Sequence, residues 1–298
     1  MAPARMPDTP TRTALVFGAS GQIGDALLAR LAGEGWQVFA VSRDPRPSST
    51  GIVWLKGDFA GIAGLPSSVD VIFSTGPLDG FAQWYARGDV IASRVVAFGS
   101  TSLDTKQASG DAYERDIVAR LQAAERTVFV TASACGAAAT LLRPTLVYGA
   151  GRDQTLARIA AMGRRMGFFM LPRGADGKRQ PVHVDDLAHA ALAVVDASAT
   201  HGQAYALPGG ETLAYRDMVA RTLAALSPPV RLWELPMPVF RAVLGIARMT
   251  GAMRGLTDDA VARMREDLVF DVAPARRDFG FAPLAFEVDA RALGEGGR

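Results

Sequence analysis

The sequence predicts an α/β protein: a doubly wound parallel sheet with helices on both faces, carrying a smaller C-terminal α/β lobe. Three observations carry that prediction. Short apolar runs at residues 14–17, 36–41, 52–55, 69–73, 95–98 and 140–142 alternate with helical patterns through the first half of the chain. Runs that are apolar throughout, rather than at every second position, belong to strands covered on both faces. Three glycines crowd the first strand-to-helix turn, and beyond Gly149 the alternation loosens, as expected where a second lobe begins.

In chain order, residues 1–12 hold prolines and arginines without the apolar core of a signal peptide and read as a frayed tail. A strand at 14–17, a glycine turn and a helix at 25–32 form the first β-turn-α unit. The stretch 76–93 has room for only one or two helical turns, at 78–85. After the sixth strand, 152–165 reads as a helix and 168–177 as a glycine-rich, partly apolar loop. Residues 180–184 resemble a strand, and 185–196 a helix whose opening acids suit its positive end. A Thr212 cap, a helix at 215–226, a link at Pro228 and Pro229 and two later helices complete the lobe. The expected first domain is therefore 13–165, revisited at about 180–207, and the lobe comprises 166–179 and 208–298. Residues 235–253 are apolar but interrupted by Arg241 and Arg248, which predicts a helix packing one face on its own domain rather than a membrane segment.

The bulk properties narrow the function classes. With 49% hydrophobic and 21% charged residues the chain can bury a sizeable core, and a net charge of +2, from 32 basic and 30 acidic side chains, gives no field for recruiting nucleic acid or anionic membrane. Cys135 is the only cysteine, so no internal disulfide forms, no metal site is expected and a reducing, cytoplasmic setting is predicted. The partner expected is a small molecule.

Gly18-Ala19-Ser20-Gly21-Gln22-Ile23-Gly24 lies directly between the first strand and the first helix. Gly18 can take the tight turn, Gly21 lets backbone approach a pyrophosphate, Gly24 permits close packing of helix on sheet, and Ser20, Gln22 and Ile23 line the same helix entry. The spacing predicts dinucleotide binding. After the second strand, where an acidic residue usually meets the ribose hydroxyls of NAD, this chain has Ser42-Arg43. A guanidinium there binds a 2′-phosphate and stacks on adenine, so NADP(H) is expected in preference to NAD(H). Asp58, beside Phe59, is placed to accept a hydrogen bond from the adenine amino group, or else to cap its own turn. Ser74, Thr75 and Gly76 end the fourth strand on the side where ligands bind in such sheets.

With these pieces placed, the chain resembles the extended short-chain dehydrogenase/reductase family, particularly its NAD(P)-dependent nucleotide-sugar epimerase and dehydratase branch. The shared motifs are the glycine turn, Gly99-Ser100-Thr101-Ser102, Leu142-Arg143-Pro144-Thr145-Leu146-Val147-Tyr148-Gly149, Pro181-Val182-His183-Val184-Asp185-Asp186 and Ala275-Arg276-Arg277-Asp278-Phe279-Gly280-Phe281. The resemblance implies a Rossmann domain with a C-terminal substrate lobe, and an oxidoreductase or epimerase acting on a small polar or sugar-derived carbonyl or alcohol. It implies that Ser100 or Thr101 hydrogen-bonds the reacting oxygen, that Tyr113 moves the proton, and that Pro144 and Tyr148 lie near the nicotinamide. The family's lysine, one helical turn after the tyrosine, is replaced by Ile117. Three readings stay open: Tyr113 acts with Lys106 or Arg115, hydride transfer relies on positioning with Ser100 and Thr101, or the protein binds NADP(H) silently as a redox sensor or structural protein. The short 76–93 stretch favours a monomer, or a dimer through another surface than the family's helix bundle.

Further side chains carry two readings each. Arg143 reads as the buried partner of a carboxylate or as a substrate contact, and Arg152, Asp153 and Gln154 as a helix opening or a polar substrate contact. His183 with Asp185 and Asp186 reads as a helix start before a catalytic or metal group, and Lys178 and Arg179 as a charged loop or a diphosphate contact. Residues 166–170 (MGFFM) read as core or as the wall of an apolar pocket.

Overall fold

The computed structural model describes residues 11–105, 112–153, 155–249, 258–289 and 292–294. The chain divides into two compact units, Met1–Arg143 with Ala188–Tyr205, and Pro144–Leu187 with Ala206–Arg298. The division falls after Arg143, earlier than the boundary at 165 expected from the sequence.

The first unit runs β1 (Thr13–Phe17), α1 (Gln22–Gly33), β2 (Gln37–Ser42), β3 (Ile52–Asp58), β4 (Gly61–Ile62), β5 (Ser68–Ser74), α2 (Leu78–Tyr85), β6 (Ile91–Phe98), α3 (Ser102–Thr105), α4 (Ala112–Ala134) and β7 (Ala138–Pro144). The second begins with β8 (Val147–Tyr148), α5 (Leu156–Met166), β9 (Phe168–Pro172), β10 (Lys178–Arg179), β11 (Val182–His183) and the start of α6 (Val184–Ala193). After β12 (Gln203–Leu207) come β13 (Leu213–Ala214), α7 (Tyr215–Ala224), β14 (Arg231–Leu235), α8 (Met237–Met249), α9 (Asp258–Arg263) and α10 (Ala273–Phe279).

One eight-stranded sheet has the order β12-β7-β6-β5-β1-β2-β3-β4. The β1/β2, β2/β3, β1/β5, β5/β6 and β6/β7 pairs are all parallel, as the fully apolar runs predict. The chain moves outward through β2 and β3, then returns to the other side of β1 for β5, β6 and β7. That reversal opens a crevice beyond the ends of β1 and β5, where Phe17 pairs Ser74. The core beneath is aromatic: the Phe17 ring lies 4.3 Å from Trp84 and 5.2 Å from Phe59, centroid to centroid.

The returning segment is fastened by a buried cation. Arg94 of β6 donates to the Thr140 and Thr200 hydroxyls at 2.7 and 2.6 Å and to the carbonyls of Ala138, Val194 and Val195. Burial pushes its guanidinium down to about 10, a cost that five hydrogen bonds offset. Arg12, expected in a frayed tail, is fixed to Asp196, Nη1 to Oδ2 at 2.9 Å; residues 1–10 lie outside the described residues.

Two expectations for the second unit change. Residues 168–172, read as loop, form β9 in parallel register with β14, Phe168 opposite Arg231 and Leu235 opposite Pro172. The partner lies some 60 residues away, so no local pattern announces the pairing. Arg179, read as surface loop or diphosphate contact, is instead buried. It donates to the carbonyls of Lys178, Glu266 and Arg263 and lies over the Tyr215 ring at 5.4 Å, so its donors are already engaged in holding β10. The expected helix at 235–253 appears as α8, with Phe240 and Leu244 buried beside Val261; its last expected residues, 250–253, lie outside the described ones. No helix among the described residues is long and apolar enough to cross a membrane.

Candidate functional site

The crevice of the first unit is a cleft of about 600 Å³. Of the residues singled out in the sequence, the structure brings Gly18, Ser20, Gly21, Ser42, Arg43, Asp58, Phe59, Thr75 and Gly76 to its walls. Gly18 sits at φ +68°, and a Cβ there would stand 2.7 Å from the Gly76 nitrogen. Only glycine fits both the conformation and the space. Gly21 caps α1 with no side-chain hydrogen bond, which leaves the positive helix end facing the turn. A Cβ on Gly24 would come 2.2 Å from the Gly18 carbonyl oxygen, so Gly24 and buried Ile23 set how closely helix and turn approach. Thr75 locks the two strand ends together, its N–H donating to the Phe17 carbonyl at 3.0 Å and its hydroxyl lying 3.0 Å from the carbonyls of Phe17 and Gly18.

Ser74 and Gln22 adjoin wall residues of the cleft in sequence but are not on its walls. The Ser74 hydroxyl and the Gln22 Oε1 are buried without a hydrogen-bond partner among the described residues, a costly state that a ligand or ordered water relieves. Arg43 is exposed on the cleft wall and makes no ion pair or hydrogen bond among the described residues. Asp58 serves its turn, Oδ1 accepting from the Ala60 N–H at 2.9 Å, while its carboxylate also lines the cleft. Phe17, Val41, Gly57, Ala60 and Pro77 complete the walls. Apolar residues at strand ends such as Phe17 and Val41 carry no chemical signal, and only adjacency to the motif residues marks them in the sequence.

The residues expected to do chemistry are not on those walls. Thr101 is buried at the end of β6, and Ser100 is half-buried with its hydroxyl accepting from the Ser102 N–H at 3.1 Å, the cap of α3. Tyr113 is 67% exposed at the start of α4. A proton donor acts from a dry, positioned site, so the role expected of Tyr113 requires this side chain to be covered when substrate binds. Of its two candidate cations, Lys106 lies outside the described residues and Arg115 is exposed. Arg143 holds the carboxylate expected for it, Nε to Glu125 Oε1 at 2.8 Å.

The second-unit residues resolve into structure. Tyr148 is 2% exposed, its ring edge-on to His183 and Phe286 at 5.1 and 5.0 Å and its hydroxyl accepting from the Glu287 N–H at 3.3 Å. Burial pushes its phenol up. Its ring packs in the core of the second unit. Pro144 is buried at the end of β7. His183 caps α6, Nδ1 accepting from the Asp185 N–H at 3.2 Å, and Asp186 accepts from the Leu284 N–H. Asp153 opens α5, its Oδ1 accepting from the Thr155, Leu156 and Ala157 N–H groups. Met166, Phe169 and Met170 line an apolar cavity, the pocket-wall alternative for that segment.

Residues 118–207 match the model of the NAD dependent epimerase/dehydratase family. The chain is 27% identical to a 2-alkyl-3-oxoalkanoate reductase of Stenotrophomonas maltophilia (strain K279a), over 90% of this chain and 94% of that one. It is 24% identical to a UDP-glucose 4-epimerase of Vibrio cholerae, over 54% and 46%. Among solved structures, the terminal R domain of the myxalamid PKS-NRPS biosynthetic pathway is similar with a TM-score of 0.72 at 18% identity, over 97% and 90% of the two chains. The Bordetella bronchiseptica enzyme WbmH, solved in complex with NAD+, gives 0.66 at 16% identity, over 96% and 100%. At these identities the structural likenesses establish the fold.

Proposed function

We propose that the first unit binds NADP(H) in preference to NAD(H) and that the protein, similar to the NAD dependent epimerase/dehydratase family and to a reductase, exchanges hydride with a small carbonyl or alcohol. The observation that carries this reading is the cleft in which the glycine turn, Asp58 and a guanidinium with no ion pair or hydrogen bond among the described residues face one space. Gly18, Ser20 and Gly21 would cradle the pyrophosphate at the start of α1, with Gln22, Ile23 and Gly24 setting the turn. Arg43 and Ser42 would take the 2′-phosphate, Asp58 and Phe59 the adenine, and Ser74, Thr75 and Gly76 the ribose side. Once bound, the nicotinamide supplies or accepts the hydride. Thr101, with Ser100, would orient the reacting oxygen, the role the family resemblance gives these hydroxyls. NAD-dependent relatives support the dinucleotide, and Arg43 supports the phosphorylated form.

Fluorescence titration of the full chain with NADPH and NADH tests the cofactor. Wild type should bind NADPH more tightly, and Arg43→Asp should reverse the order; equal affinities in both proteins would overturn the assignment. NADPH oxidation with 3-oxo acids, and turnover of nucleotide sugars, tests the chemistry. A second reading, a silent NADP(H) binder, is favoured by Ile117 in place of the lysine and by the exposure of Tyr113. Tight NADPH binding with no turnover across both panels would select it.

A further inference from the structure

We propose that the second unit carries a binding site for an apolar chain ending in an anion, of which a medium-chain carboxylate is the simplest member. This goes beyond the reading above, which concerns the first unit, and it stands on second-unit side chains alone.

The site begins in the sequence of α5. Thr155, Arg158, Ile159, Met162 and Met166 recur at helical spacing and so share one face. That face borders a cavity of about 170 Å³ that is partly open to solvent, lined also by Phe169 and Met170 of β9 and by Phe240 and Leu244 of α8. Protein interiors hold few voids larger than a water molecule, and an apolar cavity of ~150 Å³ stays dry and takes up benzene. This cavity is of similar volume and similarly apolar in its lining, but has a mouth through which a chain can enter. Four of the chain's ten methionines, Met162, Met166, Met170 and Met264, line it, and unbranched thioethers adapt to a flexible ligand where β-branched residues would not. A sugar would leave its hydroxyls unpaired here, because Thr155, Arg158 and Tyr215 are the only lining side chains with hydrogen-bonding atoms.

The anion follows from Arg158. Among the described residues it is the only charged one lining the cavity; it is exposed, and it makes no ion pair or hydrogen bond with any of them. An apolar hollow with one free guanidinium beside it fits an amphiphile whose chain enters and whose carboxylate stays at the solvent edge.

The test is calorimetric titration of the full chain with hexanoate, octanoate, benzoate, hexanol and UDP-glucose. Octanoate should bind, with affinity rising about fourfold per added methylene until the cavity is filled. Met162→Trp, which fills the hollow, should weaken octanoate at least tenfold. Met166→Trp, at the more exposed end of the same stripe, gives the same readout should the first variant fail to fold. Arg158→Ala should weaken the carboxylates roughly threefold to fivefold and leave hexanol unchanged. Benzoate binding better than octanoate, UDP-glucose binding in place of the carboxylates, affinity independent of chain length, or indifference to both tryptophans would each overturn the proposal. NADPH titrated into the same sample separates the two readings: loss of NADPH binding counts against the first unit's function, and loss of octanoate binding against this site.

Discussion

Arg143 grips Glu125 with two donors, Nε reaching Oε1 at 2.8 Å and Nη2 reaching Oε2. The pair joins the end of β7 to the middle of α4, with side chains only 20% and 8% exposed. It also lies beneath the turn that carries Ser100 and Thr101, since a Cβ on Gly99 would sit 3.2 Å from Glu125 Oε1 and 3.6 Å from the Arg143 Cγ. The neighbouring carboxylate raises the Arg143 guanidinium, chiefly through the hydrogen bond. Glu125→Gln strips the charge and leaves a half-buried cation, so we expect a loss of roughly 2–4 kcal/mol in urea unfolding. Changing both residues to apolar ones should cost less than the sum of the single changes, and a double-mutant cycle reads the difference. Additive losses would show that the two side chains do not act as a pair.

The glycine turn allows a prediction that separates binding from folding. Gly24→Ala places a methyl where the Gly18 carbonyl oxygen lies, at 2.2 Å, and helix and turn must part to admit it. NADPH affinity should fall at least tenfold, about 1.4 kcal/mol, while circular dichroism still reports a folded protein. Gly33→Ala is the control, because a Cβ at Gly33 meets nothing within 4 Å. It should leave affinity unchanged and raise stability by a few tenths of a kcal/mol, about what helix propensity and chain entropy allow.

Asp70 and Thr13 exchange hydrogen bonds between β5 and β1. The Thr13 N–H and hydroxyl donate to Asp70 Oδ2 at 2.7 and 2.8 Å, and the Asp70 N–H donates to the Thr13 hydroxyl oxygen at 3.0 Å. The Thr13 N–H, then its hydroxyl, hold the Asp70 carboxyl below its ordinary value. The folded protein therefore releases this proton more readily than the unfolded chain. The resulting stability is complete above the ordinary carboxylate range of about 4 and is lost as pH falls through the lowered value. The group is largely exposed, so its worth is at most about 1 kcal/mol. Asp70→Asn should be less stable than wild type at pH 7, and the gap should close below pH of about 4; a gap that stays constant down to pH 2 would show that the carboxylate charge is not what matters.

Local signals made much of the fold legible. The six apolar runs each became part of a strand, and the glycine turn sits between β1 and α1 as read, because both depend on a few adjacent residues. Long-range partners account for what was missed. Phe168 to Pro172 forms a strand because β14 comes alongside, and buried Arg179 is met by two carbonyls from far along the chain, Glu266 and Arg263, besides that of its neighbour Lys178. The cleft shows the same division. Gly18, Arg43, Asp58 and Thr75 were visible through motif and strand order, whereas the exposure of Tyr113 and the burial of Tyr148 depend on packing that no spacing reveals.

Tyr113 gives the sharpest separation of family pattern from this chain. A general acid in the transition state contributes about 10²–10⁴-fold, so a working donor would show that loss in Tyr113→Phe. The side chain is 67% exposed, and one helical turn on stands Ile117 instead of a cation. We expect Tyr113→Phe to alter kcat with any carbonyl substrate found in the screen by less than about threefold, a surface change far below the range for a proton donor. Thr101→Val, which removes a buried hydroxyl at the end of β6, should lower kcat about tenfold or more by loosening the reacting oxygen, with NADPH affinity unchanged in both variants. A hundredfold loss in Tyr113→Phe with Thr101→Val near wild type would restore the tyrosine to the chemistry and require α4 to reorganise when substrate binds.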